Sequence, residues 1–187
     1  MDTAWSGSRA ELIPEMPDTI PFGSLRTEKV ALGLTTDRIQ PVEYDWETQH
    51  FLLISGTPQS GKSNLLYAIT AQLKERLGGR ICLFDVKSSA PESMLRLADA
   101  CLSQGKQIDS FIESIRPELQ KRQSEKRENR VARFEPLILA IDDYSDFFAA
   151  VSNDTIARLL AIVKIGCGLD IYLIIAGSAY EISALFN

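Results

Sequence analysis

An apolar run, Phe51-Leu-Leu-Ile-Ser55, leads directly into Gly56-Thr57-Pro58-Gln59-Ser60-Gly61-Lys62-Ser63 and then into a helix-forming stretch. This is the full phosphate-loop pattern, Gly-x-x-x-x-Gly-Lys-Ser, in its required strand-to-helix context. The glycines let the backbone curl so that successive N–H groups face phosphate oxygens, and the helix that follows adds its positive end. Lys62 is placed to reach the β- and γ-phosphates, and the Ser63 hydroxyl to ligate Mg²⁺. The expected nucleotide-binding set is therefore Gly56, Thr57, Pro58, Gln59, Ser60, Gly61, Lys62, Ser63 and Asn64, with ATP and Mg²⁺ as ligands. A chance match, or a loop that has lost its ligand, is the competing reading. The intact flanks favour binding.

Around this loop strands and helices alternate. A short hairpin is expected from 29–34 and 41–45, around a turn with Thr35, Thr36, Asp37 and Arg38. Strands are expected at 51–55, 80–86, 137–141 and 170–176, and helices at 62–76, 91–102, 108–130 and 155–165. Gly78-Gly79 closes the first helix, and Pro91 sits where a helix tolerates proline. Near-continuous apolar strands between helices predict a parallel sheet covered on both faces, an α/β class fold. With 187 residues, 45% of them hydrophobic, the chain is long enough for one such domain. Residues 1–21, with Pro14, Pro17 and Pro21 and little periodicity, read as a linker or extended arm before a domain at 22–187.

Composition limits the function classes. A net charge of −5 argues against a generally basic surface for nucleic acid. The basic residues Lys121, Arg122, Lys126, Arg127, Arg130 and Arg133 alternate with Glu118, Glu125, Glu128 and Glu135, which reads as a solvated helix face. Three cysteines, Cys82, Cys101 and Cys167, lack metal-ligand spacing and read as reduced thiols. No apolar stretch has the length of a membrane span, and the first residues lack the apolar core of a signal peptide, so the segment reads as soluble. His50, the only histidine, is read as structural. Asp85 and Lys87 read as a strand-end ion pair or exposed groups, and Tyr144, Phe147 and Phe148 as packing beneath the sheet. Trp5 and Trp46 fold back on their own domain or anchor a neighbour.

A second chemical motif lies roughly 80 residues after the loop. Leu137-Ile-Leu-Ala-Ile141 is an apolar strand ending in Asp142-Asp143. A strand ending in Asp-Asp is also a common start to a turn; paired with the loop, Asp142 becomes the Mg²⁺ partner opposite Ser63, partly through water. Asp143 then stands where many ATPases place a water-polarising glutamate, one methylene shorter.

These motifs, with Ile13-Pro-Glu-Met-Pro-Asp18, the Gly33-Leu34 to Pro41-Val42 hairpin, the His50-to-Leu66 run and Asp142-Asp143-Tyr144, resemble the FtsK/SpoIIIE-type P-loop motor ATPases. Within them the chain is most similar to the third, C-terminal ATPase module of the type VII secretion proteins EssC and EccC. The resemblance implies a RecA-like sheet in which strand 170–176 lies between the two motif strands. It also implies a cytoplasmic module of a membrane-anchored parent, with partners among neighbouring ATPase modules, oligomer neighbours and small helical-hairpin secretion substrates. DNA motors of the family carry an Ala-Thr-Gln-Arg-Pro-like sensor at the tip of that strand. Here the tip reads Ala176-Gly177-Ser178-Ala179-Tyr180, without glutamine or arginine, which points to ATP binding with weak or absent hydrolysis. The family fold also implies a further edge strand beyond Asn187, so the chain reads as an excised or truncated module with no arginine finger in cis. An active DNA-translocating motor is the alternative.

Overall fold

The computed structural model describes residues 14–21, 23–25, 27–166 and 168–178. Among them the chain forms β1 (Val30–Leu34), β2 (Pro41–Tyr44), β3 (Phe51–Ser55), α1 (Lys62–Leu77) and β4 (Arg80–Phe84). It continues through α2 (Glu92–Leu97), β5 (Ala100–Leu102), α3 (Gly105–Ser114), α4 (Arg116–Glu128) and β6 (Leu137–Ile141). The described part closes with α5 (Tyr144–Ala150), α6 (Asn153–Ile165) and β7 (Ile171–Gly177). Strands β1 and β2 form the expected antiparallel hairpin. The other five make one sheet in the order β3-β7-β6-β4-β5, parallel at each pairing.

Period-two alternation divides the sheet between two cores. Ile81, Leu83, Ile138, Ala140, Tyr172, Ile174 and Ala176 face Leu66, Ile69 and Leu73 of α1, Met94 of α2, and Val30 and Tyr44 of the hairpin. Cys82, Phe84, Leu139, Ile141, Leu173 and Ile175 face α3 to α6 through Ile108, Ile112, Leu119, Phe147, Leu159 and Ile162. Every residue of β6 and of β7 is buried, as a central parallel strand covered on both faces requires. Gln72 ties the hairpin to α1 by accepting from the Ala31 N–H and donating to the Ala31 carbonyl, both at 2.9 Å.

Three expectations about the helices need correction. The helix expected over 91–102 stops at Leu97, because Ala98 and the residues after it turn extended and pair β5 with β4 at the sheet edge. There Asp99 accepts from the Ile81 N–H at 2.7 Å and anchors the switch from helix to strand. The helix expected over 108–130 is two helices meeting at Ile115, since Pro117 has no N–H to continue the ladder and sits instead in the first turn of α4. The charged face of α4 is not wholly solvated: Arg122 is only 4% exposed. Its guanidinium donates to Leu169 O at 2.8 Å, Glu135 O at 2.7 Å and Glu118 Oε1 at 2.5 Å.

Other expectations hold. Tyr144, Phe147 and Phe148 pack beneath the sheet, with the Phe84 and Phe147 ring centroids 5.5 Å apart. Trp46 folds back on its own domain, where Arg76 lies 5.4 Å over its ring. His50 stacks on Tyr172 at 4.8 Å, and burial pushes its pKa down. Cys82 is a buried free thiol whose pKa is pushed up to about 12 by burial. Cys101 is free and exposed, on edge strand β5 rather than at a helix end. Trp5, Cys167, Ala179 and Tyr180 lie outside the described residues. Among the described residues no helix is long and apolar enough to cross a membrane.

Candidate functional site

The first motif strand, β3, ends at Ser55 and the loop leaves the carboxyl edge of the sheet. Gly56 N donates to Gly177 O at 3.3 Å, so the loop starts against the tip of β7. A Cβ at Gly56 would stand 2.5 Å from Ser60 Oγ, so a larger residue there requires the Ser60 hydroxyl to turn away. Gly61 has φ +89°, a conformation L-residues rarely adopt, and from it the chain enters α1. Residues 57–61 are exposed.

The start of α1 is prepared for an anion. No side chain caps it and its first turn holds no acidic residue, so its leading N–H groups are not taken up by a carboxylate of the helix itself. Lys62 Nζ donates to Thr57 O at 2.9 Å, folding its ammonium back over the loop. Nearby, by contrast, Lys87 is committed to an ion pair with Asp146 at 2.6 Å.

The second motif strand, β6, presents Asp142 to the same place. Ser63 Oγ donates to Asp142 Oδ1 at 3.0 Å across 79 residues of sequence. Strand β7 lies between β3 and β6, pairing Ile54 with Ala176 and Ile141 with Ile175, as the sequence resemblance implies. The structure therefore brings Ser63, Asp142, the loop and the tip of β7 together. Asp143 follows immediately but is engaged locally, where its Oδ1 accepts from Ser145 N at 2.9 Å and caps α5. That cap was readable as an Asp before a helix-forming run. Asp85 does not stay at the surface as an ion-paired group: it is fully buried and accepts from Ala90 N at 2.7 Å, bracing the turn after β4.

One residue escaped the sequence reading. Tyr67 Oη donates to Asp142 Oδ2 at 2.5 Å, so Asp142, 5% exposed, receives a hydroxyl on each oxygen. The signal was the four-residue spacing of Ser63 and Tyr67, which puts both on one face of α1. Burial, then the hydrogen bond to Asp142, holds the Tyr67 phenol far above its ordinary pKa, so it stays a donor.

No family model matches the chain. Its sequence is 26% identical to the ESX secretion system protein EccC of Thermomonospora curvata, over 94% of this chain but 14% of that protein. The chain thus spans a small part of the relative it matches. The solved structure of ATPases 2 and 3 of Thermomonospora curvata EccC, in complex with a signal sequence peptide, superposes with a TM-score of 0.77 at 24% identity, covering 98% of this chain and 36% of that one. ATPases 2 and 3 of EssC from Geobacillus thermodenitrificans give 0.72 at 20% identity, covering 83% of this chain and 30% of that one. The pCW3 conjugation coupling protein TcpA, solved with ATPγS, gives 0.69 at 18% identity, over 88% of this chain and 52% of that one. The fold is that of a RecA-like P-loop ATPase, and by sequence and architecture the chain resembles the ATPase modules of the secretion proteins EccC and EssC.

Proposed function

We propose that this chain is an ATP-binding module of a type VII protein secretion motor, corresponding to the third ATPase module of EccC and EssC, and that it binds MgATP with slow or no hydrolysis. The carrying observation is the convergence of the phosphate loop, an uncapped α1 and the Ser63–Asp142 pair at one end of the sheet. Backbone N–H groups of the loop between Gly56 and Asn64, where Pro58 alone has none to offer, would receive the phosphates, and Lys62 would leave Thr57 O to meet them. Ser63 and Asp142 are hard oxygen donors of the kind Mg²⁺ takes, and their 3.0 Å contact fits a shared ion and its water shell. When bound, the ion neutralises charge on the terminal phosphates. Asp143 is the candidate water-orienting group. With one carboxylate oxygen engaged in capping α5 and a side chain shorter than glutamate, it favours slow turnover. Steady-state hydrolysis by the chain should stay below about 1 s⁻¹, the low end of ordinary enzymes. Faster turnover that is abolished by Lys62→Ala overturns the slow-hydrolysis reading.

The same reading makes a protein segment the second ligand, as in the EccC complex with a signal sequence peptide. A groove of about 300 Å³ between α3, α4 and α6, lined by Ile112, Leu119, Ala161, Ile162 and Ile165 together with Arg116, Gln120, Gln123 and Arg158, suits an amphipathic helix. Titration against a secretion-substrate tail peptide and against duplex DNA, at two salt concentrations, tests it. Peptide binding with little salt dependence supports the secretion reading. Tight DNA binding that falls steeply with salt, without a peptide response, supports a DNA-translocating motor instead.

A further inference from the structure

Two donors from one helix hold one carboxylate. Ser63 and Tyr67 stand four residues apart on α1, and their hydroxyls go to opposite oxygens of Asp142, at 3.0 Å to Oδ1 and 2.5 Å to Oδ2. The helix that carries the phosphate loop therefore also fixes the rotation of the acid on β6. Phenylalanine would fill the same half-buried space, so ring packing alone does not call for the oxygen. A carboxylate at the end of a buried strand, held through one oxygen only, can swing about its χ angles, and the second hydroxyl removes that freedom.

We infer that Tyr67 is a positioning residue for the divalent ion: by engaging Asp142 Oδ2 it keeps Oδ1 turned beside Ser63, so that both metal-facing oxygens are set before nucleotide and ion arrive. The inference rests on the MgATP reading above and deepens it. A partner that orients a metal-binding carboxylate typically changes metal affinity about 10- to 100-fold. Its effect falls on the ion and not on the phosphates, which the loop backbone and Lys62 contact through other atoms.

The test is a fluorescence titration of the 187-residue chain with methylanthraniloyl-ATP, in EDTA and across a Mg²⁺ series, for wild type and for Tyr67→Phe. A thermal melt accompanies each protein. Tyr67→Phe should bind the nucleotide in EDTA within about twofold of wild type and lose about tenfold of the gain that Mg²⁺ provides, with the half-saturating Mg²⁺ concentration rising in step. Superimposable Mg²⁺ series for wild type and Tyr67→Phe overturn the inference while leaving the nucleotide site standing. An equal loss in EDTA and in Mg²⁺ assigns Tyr67 to packing and also overturns it. Absence of nucleotide binding by wild type under both conditions removes the MgATP reading, and the inference with it.

Discussion

At the amino-terminal edge of the sheet, the Arg122 guanidinium spends its donors on Leu169 O, Glu135 O and Glu118. Arg80 holds Glu118 from the other side at 2.7 Å, and Phe134 stacks near Arg122 at 5.4 Å. At the carboxyl edge, Lys62 donates to one carbonyl of an exposed loop, and α1 begins without a cap. The first cluster is complete within the chain. The second has an ammonium held by a single loop carbonyl and a helix end without a side-chain cap, beside a Ser63–Asp142 pair already set in place. A charge satisfied by its own fold stabilises that fold, whereas a charge left nearly unengaged at a loop marks where a ligand of opposite sign is expected. A nucleotide-binding module needs both: a rigid lower edge to hold β4, β6 and β7 in register, and an upper edge whose groups can be reassigned.

The comparison breaks if the lower cluster proves dispensable. Arg122→Met removes the donors of two backbone carbonyls and one side of Glu118, while Arg80 still holds Glu118. Because that second arginine softens the loss, the expected cost is about 2–3 kcal/mol rather than the larger values seen when a buried charge is left alone. Thermal unfolding should show Tm falling by roughly 5–10 °C in a chain of this size, with the nucleotide affinity of the folded variant unchanged. A variant as stable as wild type would show that the cluster is not structural.

A smaller effect sharpens the same contrast. His50, at the amino-terminal end of β3, is stacked on Tyr172, and burial lowers its pKa, with Asp170 opposing and Arg133 reinforcing that shift. Because the folded value lies below the unfolded value of about 6.5, the unfolded chain takes up the proton first as pH falls. Stability from this residue is therefore present above the unfolded value and lost as pH falls through it. Melts between pH 7.5 and 5.5 should show a shallow decline in Tm that His50→Asn flattens. A wild-type Tm that rises across that range contradicts the assignment.

Much of this arrangement was legible in the sequence because its strongest signals are local. The strands at 51–55 and 137–141 match the observed bounds of β3 and β6, since a short apolar run between a turn and a glycine or acidic stop leaves few alternatives. The loop residues and Asp142 meet as expected for the same reason: both motifs sit at the carboxyl ends of strands that one parallel sheet must align. The errors arose where a distant partner decides. Ala100-Cys101-Leu102 continues a helical pattern until β4 offers an unpaired edge. Arg122 looks like one more surface charge among glutamates until the chain returns at Glu135 and Leu169 to place carbonyls around it. Tyr67 reads as helix filler until β6 places an acid within reach.

The most direct measurement of the account is calorimetric titration of the chain with MgATP, beside Lys62→Ala. Wild type should bind with one site, and Lys62→Ala should bind at least tenfold more weakly, a change of about 1.4 kcal/mol or more, with its Tm unaltered because the Lys62 ammonium is engaged by a single loop carbonyl, that of Thr57, among the described residues. Equal binding by the two proteins, or none by wild type, would contradict the claim that the carboxyl edge of the sheet is a nucleotide site.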